Sequence, residues 1–308
     1  MPNIVFSIII NCKNSEEYLE ISIQSVLNQS YKNFELIIVD NNSIDKTKVI
    51  SESFDDKRLR YFNTKKNLNL GEARNFGIEK AKGKYIGFLD SDDYWNKNKL
   101  EKTLNQFNNE NVVFVYSNVN YFNDISNSKL YSNVLSFSKN IYIDLLKNYN
   151  LCISSCIINS LYLSQLTHLF DKNLEVCEDF DFFIRLSSMG NVNYINDVLV
   201  NYRIHSNNLT KTKRFLFFEE KNLIIKKLNS SLDIEPTLYN RLLCQNDLDK
   251  SKYLWKINKN HDAINQIFNS RFLKYSYKIF YSILFLFNYN FIKKIYSFFK
   301  NKKIDIDI

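Results

Sequence analysis

Apolar positions along the first two-thirds of the chain fall into two alternating textures. Residues 4–10 (IVFSIII) are an almost unbroken apolar, largely β-branched run, which predicts a strand covered on both faces. Tyr18, Leu19, Ile23, Val26 and Leu27 then recur at helical spacing, with Ser15 placed to cap that helix. Residues 34–39 (FELIIV) read as a second buried strand ending at Asp40. A helix over Lys46–Phe54, a short strand at Arg60–Phe62, and a helix over Gly71–Ala81 follow. Lys84–Leu89 (KYIGFL) reads as a further strand ending at Asp90, then come a helix near Lys97–Phe107 and a strand over Val112–Val119.

Strands and helices alternating at such short intervals predict an α/β domain, a mostly parallel Rossmann-like sheet flanked by helices. In such sheets ligands bind beyond the carboxyl ends of the strands. Those ends carry Asn11, Asp40, Asn41, Asp90 and Asp92, so several consecutive strands deliver acids or amides to one place. From about Lys211 the texture changes: spacing becomes helical, turn residues thin out, and Lys and aromatics accumulate. We place a boundary there, with a catalytic domain over 1–212 and a helical C-terminal extension over 213–308. No internal repeat is visible.

Composition narrows the picture only in part. The 308 residues are 45% hydrophobic and 15% aromatic, enough for a substantial core and unlike a disordered chain. With 5 Gly and 2 Pro, turns leave a faint signature. The formal charge of +8 suits an anionic partner: a nucleotide, a nucleic acid or a membrane surface. Five scattered cysteines lack zinc spacing and read as isolated thiols in a reducing compartment. The N-terminus enters a strand without a charged leader, and no apolar run reaches the roughly 18–20 residues of a spanning helix. Both point to the cytoplasm.

The chemistry centres on Asp90-Ser91-Asp92-Asp93, directly after the KYIGFL strand. Two carboxylates two residues apart on a turn can converge on one hard cation and leave positions for water or phosphate. An ordinary acidic turn has the same letters. The surrounding segments decide between them: FSIIINCKN at 6–14, SVLNQSYKNFELIIVDNNSIDKT at 25–47, NLGEARNFGIEKAKGKYIGFLDSDDYW at 69–95 and CEDFDFFIRLSSMGNVNYINDVLVNYRIHS at 177–206. In this order the four resemble the inverting glycosyltransferases of family 2, which have the GT-A nucleotide-sugar fold. The resemblance covers about residues 4–212.

The resemblance implies a nucleotide-binding half over about 1–105 and an acceptor half over about 106–212. It implies that Asn11, Asp40 and Asn41 contact the nucleoside, with one side chain at 40–41 accepting from a uracil N3–H. The family's second acid is here an amide, which accepts through its carbonyl oxygen but also donates. Asp90, with Ser91, stands at the ribose or metal-water position, Asp92 at the direct ligand of Mg²⁺ or Mn²⁺, and Arg74 beside the donor or its phosphates. His205 stands where the family often has a histidine near diphosphate and metal. The general base falls at Asp179, with Glu178 as an acceptor or supporting contact. Acids at a helix start also arise simply because they complement the helix dipole, and Asp181 with Arg185 has the spacing of a structural ion pair. His168 and His261 receive no role.

The implied reaction has a plain physical logic. A nucleoside diphosphate departs with growing negative charge, which a fixed cation neutralises. The anomeric carbon becomes oxocarbenium-like, as in glycoside hydrolysis. The attacking hydroxyl is a poor nucleophile and needs a carboxylate to take its proton. The processive synthases' Q-x-x-R-W is absent, so the resemblance implies transfer of one hexosyl or N-acetylhexosaminyl group, from a UDP-sugar first, in capsule, O-antigen or lipooligosaccharide assembly. The non-enzymatic alternative is a sugar-nucleotide or glycan-binding relative that scaffolds such an assembly.

Residues 271–303 hold eight basic residues (Arg271, Lys274, Lys278, Lys293, Lys294, Lys300, Lys302 and Lys303) and no acid. Interleaved with aromatics and Leu/Ile, they suit helices lying in an anionic membrane interface. The expected location is therefore peripheral, on the inner face of the plasma membrane, and the acceptor a glycan or lipid-linked saccharide. A basic–aromatic interleave also occurs in nucleic-acid binders, but nothing else here resembles one, and nucleic acid is not an expected partner.

Overall fold

The computed structural model describes residues 4–109, 111–123, 129–131, 141–205, 208, 212–271, 273–290 and 292–293. The chain divides into two compact units, Met1–Thr212 and Lys213–Ile308.

The first unit is built on one mixed sheet in the order β3-β2-β1-β4-β8-β6-β9-β5, with β7 (Lys129–Tyr131) pairing β6. β1 (Phe6–Cys12), β2 (Phe34–Asp40), β3 (Leu59–Asn63) and β4 (Tyr85–Asp90) are mutually parallel. The remainder is mixed. β8 (Ile157–Asn159) runs antiparallel to both β4 and β6 (Val112–Phe122), β9 (Asn191–Arg203) runs parallel to β6, and β5 (Tyr94–Trp95) runs antiparallel to β9. The parallel expectation thus holds over β1 to β4. β5 and β8 depart from it, being too short to leave a periodicity.

Ile8, Ile9 and Ile10 are fully buried, each contributing about 1.5–3 kcal/mol of transfer free energy. Glu35 interrupts the apolar run of β2 but is satisfied there. It accepts from the Ser7 hydroxyl at 2.7 Å, the Lys82 N–H at 2.7 Å and Arg60 at 2.5 Å.

α1 (Leu19–Leu27) buries Leu19, Ile23 and Val26. Its start differs from the sequence expectation, since Ser15 is not the side-chain cap. The helix begins after Tyr18, and the Ser15 hydroxyl instead bonds the Ser91 hydroxyl at 2.9 Å. α2 (Thr47–Glu52) follows β2. α3 (Leu70–Lys80) opens with a reciprocal capping box between Asn69 and Glu72. It lies so close to the sheet that a Cβ at Gly77 would sit 2.6 Å from Ile9 Cγ2. α4 (Lys99–Leu104), α5 (Ile141–Lys147) and α6 (Glu178–Ser187) complete the unit, α6 burying Phe180, Phe182, Phe183 and Leu186. All five cysteines are free, and Cys12, Cys152, Cys156 and Cys177 are buried.

The second unit is helical: α7 (Arg214–Leu232), α8 (Pro236–Lys256), α9 (Asn260–Asn269) and α10 (Tyr275–Phe285). Glu235 caps α8 through the N–H groups of Thr237 and Leu238, with Pro236 at the first helical position. Leu254, Trp255, Ala263, Ile267 and Phe285 form its core. Among the described residues no helix is long and apolar enough to cross a membrane. Of the basic residues counted in the tail, Lys294, Lys300, Lys302 and Lys303 lie outside the described residues.

Candidate active site

Strand register assembles the site. Cys12 pairs with Asp40, and Asn11 pairs with Asp90, so the carboxyl ends of β1, β2 and β4 present their polar residues side by side. Asp40 is buried and accepts from the Tyr61 hydroxyl at 2.6 Å and the Ser43 N–H at 2.9 Å. The Asn41 amide is occupied at both ends by the backbone of Leu68, donating to its carbonyl and accepting from its N–H, each at 2.8 Å. In this arrangement Asn41 clamps the loop after β3. At Asn11 the buried Nδ2 has no hydrogen-bond partner among the described residues.

The Asp90–Asp93 turn is fixed from several directions. Asp93 is buried, accepting from the Ser154 hydroxyl at 2.7 Å and the Arg203 N–H at 3.0 Å. The Ser22 hydroxyl reaches the carbonyls of Asp93 and Ser91 at 2.6 and 2.8 Å. Arg203 donates to the Asp92 carbonyl at 3.0 Å and lies against the rings of Tyr18 and Phe122. This frame leaves the Asp92 carboxylate to meet His205, whose Nε2 is 2.7 Å from Asp92 Oδ2. The His205 backbone N–H is held by Asn208 at 2.7 Å. Asp93, Ser154 and Arg203 were not singled out in the sequence. Asp93 carried a signal, as the third acid of its turn, but its partners are 61 and 110 residues away.

Among the described residues no three His, Cys, Asp or Glu side chains converge on one point. Asp92 and His205 form a two-donor set, one carboxylate and one imidazole. That fits Mg²⁺ or Mn²⁺ held with water and diphosphate oxygens, because such ions take few protein ligands in phosphate-bearing sites.

Arg74, on α3, is buried and binds two carboxylates at once, Glu178 Oε1 and Asp90 Oδ1, the latter at 3.3 Å. Its guanidinium joins the end of β4 to the start of α6. Burial pushes the Asp90 carboxyl up and the Asp92 charge adds to the shift, while Arg74 opposes it. Glu178 is buried, and its Oε2 has no hydrogen-bond partner among the described residues. Next to it, the half-buried Asp179 carboxyl is pushed up to about 7, first by loss of water and then by Glu178, against the opposing Arg74 charge. Asp179 accepts from the Tyr149 hydroxyl at 3.1 Å and from the Phe180 N–H at 2.7 Å. Tyr149 also went unmarked in the sequence. Asp181 instead pairs with Arg185 at 2.6 Å and is buried in a structural contact.

A mixed α/β sheet with acids gathered at the ends of its parallel strands is the architecture of the GT-A glycosyltransferases. The chain belongs to glycosyl transferase family 2, whose sequence model matches residues 7–165. It is similar to WfgD of Escherichia coli, a UDP-Glc:alpha-D-GlcNAc-diphosphoundecaprenol beta-1,3-glucosyltransferase, with 29% identity over 69% of this chain and 82% of that protein. It is also similar to TuaG of Bacillus subtilis, a putative teichuronic acid biosynthesis glycosyltransferase, with 30% identity over 67% of this chain and 82% of the relative. Some relatives are much longer: the match spans 66% of this chain but 29% of a Rickettsia bellii glycosyltransferase 35% identical to it. Among solved structures, S. aureus TarS 1–349 in complex with UDP superposes with a TM-score of 0.66 at 21% identity, covering 85% of this chain and 79% of TarS 1–349.

Proposed function

We propose that this transferase moves one sugar, with inversion, from a UDP-sugar to a hydroxyl of a lipid-linked saccharide in surface-polysaccharide assembly. The carrying observation is the placement of the Asp92–His205 pair and the Arg74–Glu178–Asp179 cluster around the polar strand ends. WfgD and TuaG, named for a UDP-sugar and lipid-diphosphate acceptor and for a cell-wall polymer, support the substrate classes.

In this reading the unpartnered Asn11 amide and the buried Asp40 receive the nucleoside. Asp92 and His205 hold a divalent cation, with Asp90 beside them. The cation supplies charge neutralisation for the departing diphosphate. Asp179 takes the proton of the attacking acceptor hydroxyl. A carboxyl poised near 7 is suited to that task, because the best general base has a value close to the operating pH. Glu178, closed off from solvent, supports Asp179 as a neighbouring negative charge, and Arg74 keeps Glu178 and Asp90 in register. UDP release across a panel of UDP-, GDP- and dTDP-sugars with Mn²⁺ tests the proposal. Release only from GDP- or dTDP-sugars would overturn the donor assignment, and no release from any would overturn the activity.

The same reading places the C-terminal unit on an anionic membrane at the cytoplasmic face. α10 and the residues just after it expose Tyr275, Ile279, Phe280, Ile283, Leu286 and Phe287, flanked by Lys274 and Lys278. Apolar insertion and attraction of about 1 kcal/mol per basic residue add in such a contact. Replacing the exposed Phe280 and Ile283 by Asp should abolish sedimentation with phosphatidylglycerol vesicles. Undiminished sedimentation would remove α10 from the contact.

A further inference from the structure

The C-terminal unit contains a cavity of about 610 Å³ between α7, α8 and the segment from α10 onward. This lies within the 300–1,000 Å³ range of small-molecule sites, far below the footprint of a macromolecule. Its wall is aromatic: Trp255, Phe285 and Tyr289 pack together, with ring centroids 5.2 and 4.9 Å from Trp255. The Trp255 indole N–H is already donated to the Phe287 carbonyl at 2.7 Å, so the wall is fixed in place. Phe218 and Tyr253 extend the apolar lining.

The charges around this lining are of one kind. Arg214, Lys252, Lys256 and Lys293 line the cavity against a single carboxylate, Asp249. None of the four cations has an ion pair among the described residues; Arg214 and Lys252 lie against aromatic rings, over Phe218 at 5.4 Å and over Tyr281 at 5.3 Å. Arg214, Lys256 and Lys293 are exposed, while Trp255 and Phe285 are buried. The ligand that satisfies both features carries multiple negative charges at one end and a flexible apolar body at the other.

We propose that this cavity binds the phosphate end of an amphipathic phosphate ester, a polyprenyl diphosphate or its saccharide-bearing form. The acceptor's lipid would thus be held by the helical unit, separately from the nucleotide. Cations on a flexible rim recognise the diphosphate as point charges, and the aromatic wall takes the first isoprene units. The identification of this ligand as the acceptor's carrier rests on the lipid-linked acceptor proposed above. The site itself rests only on the cavity.

The experiment is isothermal titration of the full chain, saturated with UDP to occupy the nucleotide site, with three probes: farnesyl diphosphate, inorganic diphosphate and farnesol. Farnesyl diphosphate should bind at least tenfold more tightly than either fragment, and more weakly as salt is raised. Lys252→Glu and Lys256→Glu should each weaken it tenfold or more, while Lys256→Arg retains it. Lys256 is exposed, so Lys256→Glu is expected to fold, checked by an unchanged thermal midpoint. Equal binding of inorganic diphosphate would make this a free-phosphate site, and equal binding of farnesol an apolar pocket. Either overturns the proposal, as does farnesyl diphosphate binding that neither charge reversal weakens. Turnover does not enter the readout, so donor hydrolysis without farnesyl diphosphate binding refutes this cavity alone. Binding without turnover on any donor refutes the proposed reaction and leaves the cavity standing.

Discussion

Arg74→Met tests the central cluster most directly. The guanidinium is buried and faces Glu178 and Asp90, and no other cation is paired with either of them among the described residues. Removing one partner of a buried ion pair leaves the other charge uncompensated and costs about 3–5 kcal/mol. The two carboxylates do not share this equally: side-chain exposure is 33% for Asp90 and 3% for Glu178. Water can take over at Asp90 but not at Glu178, so the loss should fall near the lower end, about 3 kcal/mol, and stem mainly from Glu178. Urea unfolding of the single and double variants separates the contributions. Arg74→Met with Glu178→Met should recover most of the loss, with an interaction energy on the order of 2 kcal/mol. Arg74 also holds the Asp179 carboxyl down from an already raised position. Its removal should therefore move the acidic limb of the pH–rate profile to higher pH. An Arg74→Met protein within about 1 kcal/mol of wild type, or a double variant less stable than the single, would refute the cluster as the source of this stability.

Four further outcomes follow from the structure. Asp179→Asn should lower turnover about a hundredfold or more with little change in donor affinity, since general base catalysis supplies ~10²–10⁴; an equal loss of donor binding would put Asp179 in the nucleotide site. With Asp179 as the proposed base the active form would be its carboxylate, so kcat/KM should rise with pH through about 7, and a flat profile from pH 5 to 9 would remove Asp179 as base. Asp92→Asn should keep the fold and abolish turnover, as chelation of the proposed cation should in the wild type; near wild-type activity would show that Asp92 is not a ligand. Lys99 is fully buried, donates to the Ser155 carbonyl at 2.8 Å, and is held down to about 8 by loss of water. The unfolded chain binds the extra proton between about 8 and the ordinary lysine value near 10.4, so wild-type stability should rise relative to Lys99→Met across that window. A constant difference in urea midpoint from pH 7 to 10 would mean that Lys99 is not desolvated.

What the sequence determined by itself was the local part of this protein. Strands β1, β2 and β4 are covered on both faces, so each is a largely apolar run, broken only by Ser7 in β1 and Glu35 in β2, with Asn11, Asp40 or Asp90 at its carboxyl end. The start of α6 is likewise legible, with three acids in its first turn ahead of Phe182, Phe183 and Leu186. The tertiary structure decided what those ends meet. The resemblance put His205 near the metal position of Asp92, 113 residues away, but its direct bond to that carboxylate, and Glu178 as the partner of Arg74, 104 residues away, came only from the fold. β8, three residues long, sits between β4 and β6 and runs against both, a single inverted strand between two that point the same way. Ser15 has the letters of a helix cap yet reaches Ser91 instead. The cavity in the helical unit is built from α7, α8 and α10 onward, whose lining residues span positions 214 to 293. Periodicity reports whether a segment is buried, because alternation and helical spacing are properties of neighbours along the chain. Which buried segment lies against which depends on sheet order and helix packing, and those are settled only when the whole core closes.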